Sequence, residues 1–210
     1  MQPFTTLSGP AAPLLLANID TDVIIRIERL TSLSDDKLGP FAFEALRYLP
    51  EGGEDPLFVL NHAVFRDAPI LLAGQNFGCG SSREGAVTAL MARGIRCIIA
   101  PSYGDIFYNN CFQNGLLPIV LSESQVTTLA TEAMSGEAIT VDLRQRTITT
   151  PTAARYGFAI DPLRQEGLLN GLDEIGLTFK DDALIRFWQD NDRQTRPWAW
   201  PQPQSKQEEP

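Results

Sequence analysis

The chain has 210 residues, 43% of them hydrophobic and 20% charged, which suits one main soluble globular domain with a core of its own. With 26 acidic against 17 basic residues the net charge is −9 and no basic cluster offsets it, so a phosphate backbone would be repelled and nucleic-acid binding is disfavoured. No apolar run is long enough to cross a bilayer and no basic leader precedes Leu14-Leu15-Leu16, so neither a membrane span nor a secretory signal is expected and the protein reads as cytoplasmic.

Residues 1–25 alternate proline and glycine breaks with apolar runs and end in Val23-Ile24-Ile25, whose β-branching predicts a strand. Just before it, Asp20-Thr21-Asp22 sets two carboxylates two residues apart. With no further ligands nearby, a turn braced by Asx hydrogen bonds explains them more simply than a metal or an acid–base pair. Arg26-Ile27-Glu28-Arg29-Leu30-Thr31 alternates charge signs, as a solvated surface does. Phe41, Ala42, Ala45, Leu46 and Leu49 recur at near-helical spacing, residues 50–56 form an acidic loop with Gly52 and Gly53, and Phe58-Val59-Leu60 reads as a short strand. His62, lying beside that strand end with no obvious partner, reads as a surface or satisfied histidine.

The stretch that organises the chain follows. Residues 69–73 are a short apolar run suited to a buried strand, and residues 85–93 bring Val87, Leu90 and Met91 back at helical spacing. Between them stands Gly74-Gln75-Asn76-Phe77-Gly78-Cys79-Gly80-Ser81-Ser82-Arg83-Glu84. Its glycines let the backbone curl and approach a ligand, while Ser81, Ser82 and Arg83 arrive where the helix begins. Free N–H groups, the positive helix end and an arginine fork together favour an anion. There is no Gly-Lys-Ser/Thr as in a Walker A loop, and Arg83 stands where a dinucleotide fingerprint needs its third glycine, so a small dicarboxylate suits the turn better than a nucleotide. A plainer reading competes: Ser81 and Glu84 have the Ser-x-x-Glu spacing of a capping box, which would spend Ser81 on the helix's own N–H groups.

Beyond Gly94, the expected left-handed cap, residues 95–100 and 116–121 read as buried strands separated by a helix over residues 103–113. Ser122 and Gln125 then cap a helix reaching about Met134. Strands separated by helices predict a parallel, covered sheet. Residues 139–143 and 146–150 alternate apolar and polar as a hairpin with one wet face does, and residues 157–160 suggest another strand. Helices are expected over 162–169, closed by Gly171, and over 181–189, with Leu184, Ile185 and Trp188 inward. From Arg193 the chain is polar and proline-rich, giving a domain over 1–192 and a tail over 193–210 that is disordered or packed on a partner.

Cys79, Cys97 and Cys111 are odd in number and widely spaced, which fits neither a disulfide framework nor a zinc site. Cys97 and Cys111 read as buried small hydrophobes and Cys79, between two glycines, as exposed and oxidisable. Tyr108, Asn109 and Asn110 could contact a ligand or simply occupy a helix surface.

The block from Asn76 to Glu84 resembles the signature of the small subunits of 3-isopropylmalate dehydratase, the separately encoded swivelling domain of the aconitase superfamily. Three further blocks resemble the same family in order and spacing: Asn18-Ile19-Asp20-Thr21-Asp22-Val23-Ile24-Ile25; Gly104-Asp105-Ile106-Phe107-Tyr108-Asn109-Asn110 with Asn114-Gly115-Leu116-Leu117-Pro118; and Gly171-Leu172-Asp173-Glu174-Ile175-Gly176-Leu177-Thr178. The resemblance implies an α/β fold of three layers, β/β/α. It makes Ser81 the proton-abstracting base and Gly80, Ser82 and Arg83 the substrate-binding groups, and it places Arg26, Arg29 and Leu30 in a loop facing the substrate's variable side group. It also implies that this chain binds no metal or cofactor itself. A large subunit would supply a [4Fe-4S] cluster, and the two chains together would isomerise 2-isopropylmalate to 3-isopropylmalate in leucine biosynthesis. Two departures stand out: Arg26 where the family commonly has proline, and Gly85 where it commonly has histidine after Ser-Ser-Arg-Glu. They leave open a relative acting on methylmalate or dimethylmalate, or a non-catalytic anion-binding module.

Overall fold

The computed structural model describes residues 1–201. It divides into two compact units, Met1–Asp173 and a second beginning at Glu174. In the first unit β1 (Thr6–Gly9) and β2 (Ala11–Leu14), separated only by Pro10, feed two different sheets. β2 pairs in parallel with β3 (Ile70–Ala73), β3 with β4 (Cys97–Ala100), and β4 with β5 (Leu117–Val120). β1 pairs antiparallel with β6 (Ile139–Asp142), which continues through β7 (Thr147–Thr149) to β8 (Arg155–Gly157).

The parallel sheet is the middle layer, as the sequence of β3 and β4 requires: every residue in both strands is buried, so apolar side chains must face both ways. Alternate residues feed two cores. Leu71, Ala73, Ile98 and Ala100 pack with Ile24, Ala86, Val87, Leu90 and Phe107. Ile70, Leu72, Cys97 and Ile99 pack with Leu129, Val141 and Ile148. The first core lies under α1 (Thr21–Ile24), α2 (Ile27–Ser32), α3 (Glu44–Arg47), α4 (Glu84–Ala92) and α5 (Asp105–Asn114). The second is closed by the antiparallel sheet, α6 (Glu123–Ala133) and α7 (Pro162–Asn170). The expected β/β/α layering is therefore present. The capping box opening α6 forms in full, and Gly115 and Gly171 close α5 and α7 in left-handed conformations.

Several local expectations are corrected. Val23-Ile24-Ile25 is not a strand: the Asp20 carboxylate accepts from Val23 N at 2.8 Å and caps α1, so a local hydrogen bond outweighs β-branching. Phe58-Val59-Leu60 forms no strand either, because Val59–Asn61 is a 3-10 turn that drops Phe58 and Leu60 into the first core. The helix expected over 41–49 is broken by Phe43, which sits at φ +58° between a 3-10 turn over Gly39–Phe41 and α3. Residues 26–31 are mostly helical as α2, and the last strand falls at Arg155–Gly157 rather than 157–160.

In the second unit, α8 (Glu174–Thr178) precedes α9 (Asp182–Thr195), which runs past the expected boundary at 192. Asp192 explains the extension: its carboxylate accepts from Arg196 Nε at 2.7 Å and from Trp200 Nε1 at 2.9 Å, ordering residues assigned to the tail. Leu184 and Trp188, expected to face inward, are exposed. Residues 202–210 of that tail lie outside the described residues. No helix among the described residues is long and apolar enough to cross a membrane.

Because Ile99 joins the two sheets, Ile99→Ala should cost about 2–5 kcal/mol of unfolding free energy by urea titration of the full chain. A loss no larger than that of an exposed substitution would mean the sheets do not share this core.

Candidate active site

β2, β3 and β4 end on one edge of the parallel sheet, where ligand crevices of α/β folds form. The segments leaving these ends are sewn together by main-chain hydrogen bonds: Asn18 N to Gln75 O at 2.9 Å, Gly78 N to Ile19 O at 2.7 Å, Thr21 N to Cys79 O at 3.0 Å, Phe77 N to Ser102 O at 3.1 Å and Gly104 N to Phe77 O at 2.9 Å. Asn18 and Asn76 both adopt φ +56°, and Asn76 Nδ2 donates to Asn18 Oδ1 at 2.9 Å. Gly78, at φ +70°, is irreplaceable on two grounds, since a Cβ there would also lie 2.2 Å from the Phe107 ring.

This stitching delivers Gly80, Ser81, Ser82 and Arg83 to the start of α4. The capping-box reading of Ser81 fails. The helix begins at Glu84 with Arg83 as its N-cap and no side-chain cap, and Glu84 instead accepts from Asn114 Nδ2 at 3.0 Å. The hydroxyls of Ser81 and Ser82, both exposed, make no hydrogen bond among the described residues. The first N–H groups of α4 thus lack a capping side chain beside two free hydroxyls, an arrangement that binds anions.

Two residues outside the expected site hold it. Thr21, only 1% exposed, donates its hydroxyl to Ser81 O at 3.0 Å. Asp22 accepts from Arg83 Nη1, and the arginine side chain is itself 18% exposed. The Asp20-Thr21-Asp22 spacing was the sequence signal for both. The structure satisfies the turn reading through Asp20 and adds these contacts to it.

Of the expected specificity residues, Arg29 gives Nε and Nη2 to the Glu44 carboxylate at 3.0 and 2.5 Å and lies 4.1 Å above the Phe41 ring. The bidentate bond holds the Glu44 carboxyl below its ordinary pKa and raises that of Arg29. Arg26 faces Glu28 at 3.7 Å, so the open depression of about 270 Å³ lined by Arg26, Glu28, Arg29 and Glu44 carries no surplus positive charge. Arg26 also keeps φ −75° and ψ 145°, the conformation a proline would take, so its departure leaves the backbone unchanged. Leu30 points elsewhere and abuts Gly85.

The remaining candidates take their plainer roles. Asn109 Oδ1 accepts from Arg164 Nη2 at 2.7 Å, Tyr108 packs under the same guanidinium, and His62 Nε2 pairs with Pro56 O at 2.9 Å. Cys97 and Cys111 are buried, which pushes both thiols up in pKa, and Cys79 is half-buried. Among the described residues no three His, Cys, Asp or Glu come together as a metal site.

The model of the aconitase C-terminal domain matches residues 1–124, which defines the class of domain, and a second model, described as LeuD_N, matches residues 130–162. Over 201 residues, 95% of this chain and the whole of each relative, the sequence is 48% identical to the 3-isopropylmalate dehydratase small subunit of Paracoccus denitrificans and 50% identical to that of a Jannaschia species. A solved 3-isopropylmalate dehydratase chain from Methanocaldococcus jannaschii shares the fold, with a TM-score of 0.63 at 24% identity over 88% of this chain and 99% of that one. The chain belongs to the family of 3-isopropylmalate dehydratase small subunits.

Two expectations follow from the geometry. Thr21→Val removes the bond to Ser81 O without changing side-chain size and should destabilise the chain by about 1–3 kcal/mol in urea unfolding, with Thr21→Ser losing much less; no loss in Thr21→Val together with a loss in Thr21→Ser would point to packing of the methyl group instead. Glu44 has its folded pKa depressed, so its contribution is complete above the ordinary glutamate value of about 4.3 and is lost as pH falls through the folded value. The stability gap between the native chain and Glu44→Gln should therefore close as pH is lowered from about 6 toward 3. A gap independent of pH would remove the ion pair from the stability of this wall.

Proposed function

We propose that this chain is the small subunit of a 3-isopropylmalate dehydratase, isomerising 2-isopropylmalate to 3-isopropylmalate by removal and return of water in leucine biosynthesis, and that it is active only with a large subunit. The observation that carries the proposal is the free Ser81 hydroxyl beside Arg83 at an uncapped helix start, in a chain whose full-length relatives bear that name.

Isomerising a hydroxy diacid requires a base for the carbon-bound proton, an acceptor for the departing hydroxyl and clamps for the carboxylates. Ser81 serves as the base: its Oγ takes the proton from carbon and returns one in the reverse sense. A serine hydroxyl is a very weak acid, so its alkoxide needs the nearby N–H groups of the α4 start and the positive charge of Arg83. Arg83 clamps a carboxylate while Asp22 holds its guanidinium, and Gly80 and Ser82 complete the cradle. The hydroxyl acceptor is not built from these residues, because the cysteines are one half-buried thiol and two thiols sealed in separate cores. We assign it to a [4Fe-4S] cluster on the large subunit, which would act there as a Lewis acid.

The neutralised specificity wall supports an alkyl side group. Arg29 is committed to Glu44, and the exposed Arg26 has Glu28 3.7 Å away, so each cation of the wall is matched by a carboxylate.

Assay of the purified large and small subunits, separately and combined, on isopropyl-, methyl- and dimethyl-substituted malates tests the proposal. Turnover of isopropylmalate by the pair alone is expected, with Ser81→Ala lowering kcat by about 10²–10⁴-fold while assembly is retained. Turnover of the methyl-substituted malates with isopropylmalate ignored would move the chain to another hydro-lyase. Undiminished activity of Ser81→Ala would remove the serine from the chemistry.

A further inference from the structure

Gly85, the second residue of α4, has no positive φ to accommodate, and a glycine inside a helix normally weakens it. Its missing side chain serves a different purpose. A Cβ built on Gly85 would lie 2.4 Å from Leu30 Cδ2, 2.9 Å from Cδ1 and 3.2 Å from Cγ, so the leucine tip fills the volume a side chain would need and must move from its seat to admit one. Leu30 belongs to α2, a six-residue helix with no fully buried side chain of its own. Leu30 is one of the contacts that attach this helix to the first core, with the Arg29–Glu44 pair, Arg29 over the Phe41 ring and Leu33 at its C-terminal end. The notch that receives it opens two residues beyond Arg83, on the turn whose N–H groups face the proposed substrate.

We propose that Gly85 is a positioning residue: by lacking a side chain it admits Leu30, which locks α2, and with it the Arg26, Glu28 and Arg29 wall, against the turn that presents Ser81 and Arg83. The positioning role rests on the function proposed above, whereas the notch itself is a property of the isolated chain. Glycine at 85 and leucine at 30 then form one packing unit, and a larger group at either position changes the gap between wall and anion-binding turn.

Helix propensity and the notch predict opposite signs, which makes the test sharp. Alanine is the better helix former, so in a bare helix Gly85→Ala would raise the urea midpoint of the full chain. The notch predicts that it lowers the midpoint, and that the same substitution made in a Leu30→Ala background leaves the midpoint unchanged or raises it. In the reconstituted two-subunit enzyme, Gly85→Ala should raise the alkylmalate KM about tenfold with kcat changed less than about threefold, since the wall moves and the base does not. A midpoint that rises in both backgrounds overturns the notch. A lowered midpoint with unchanged KM overturns the positioning role. If the native pair turns over no alkylmalate, the proposed function fails and takes the positioning role with it, while the sign of the midpoint change still decides the notch.

Discussion

The hydrogen bonds that sew the segment after β2 to the segment after β3 are the constraint on which the site depends. The two strands are neighbours in register, Leu14 beside Ala73, so their continuations leave the sheet side by side. Gly78 N to Ile19 O and Thr21 N to Cys79 O then extend the pairing past the sheet edge into irregular backbone. Each such bond contributes a net of only about 1 kcal/mol, yet leaving one of these groups unpaired in the interior would cost more. The loops therefore stay joined as far as Ser81, and a hydroxyl presented on a glycine turn acquires a defined place.

At this edge the Arg83 guanidinium stands among the carboxylates of Asp20, Asp22 and Glu84, so attraction of an anion depends on oriented groups rather than on net charge. A chain with net charge −9 would repel a dianion at long range, but salt screens such effects beyond a Debye length of about 8–10 Å. Within that distance the groups that favour an anion are the Arg83 guanidinium and the uncapped N–H groups of α4. Asp22 cancels part of the arginine charge and in return fixes its orientation, so under the proposed function a substrate carboxylate would meet a guanidinium already ordered rather than one to be ordered on binding. Glu44 does the same for Arg29 but more completely, with both carboxylate oxygens engaged and a phenyl ring beneath. Arg83 and Arg29, far apart in sequence but alike in chemistry, thus differ in setting through their partners: one is held at the start of α4, the other is tied to Glu44.

Much of the molecule was legible in the amino-acid order because its middle layer is extreme in composition. Short apolar runs such as Ile70-Leu71-Leu72-Ala73, bounded by Gly74, suit strands buried on both faces, and the Ser122 and Gln125 pair announces α6 without help from tertiary structure. The errors cluster where short-range and long-range forces compete. β-branched Val23-Ile24-Ile25 lost to one carboxylate cap, and the apolar spacing over 41–49 did not reveal that Phe43 would turn left-handed to reach the core. At the candidate site, the turn from Gly80 to Arg83 leading into a helix was readable from local pattern. Thr21 and Asp22, some sixty residues earlier, were visible only as an acidic turn, since their contacts to Ser81 and Arg83 are made through the β2–β3 pairing. The competition between cap and ligand site for Ser81 could not be settled from spacing, because Ser-x-x-Glu is the same string whether the helix starts at residue 82 or at Glu84.

A divided reaction centre is the central claim, and a crystal structure of the two-subunit enzyme with a bound alkylmalate measures it most directly. Ser81 Oγ should then lie within hydrogen-bonding reach of the carbon that bears the abstracted proton, with Arg83 on a carboxylate and the cluster contributed from the other chain. A diacid bound away from residues 80–83, or a cluster ligated by this chain's own cysteines, would contradict it.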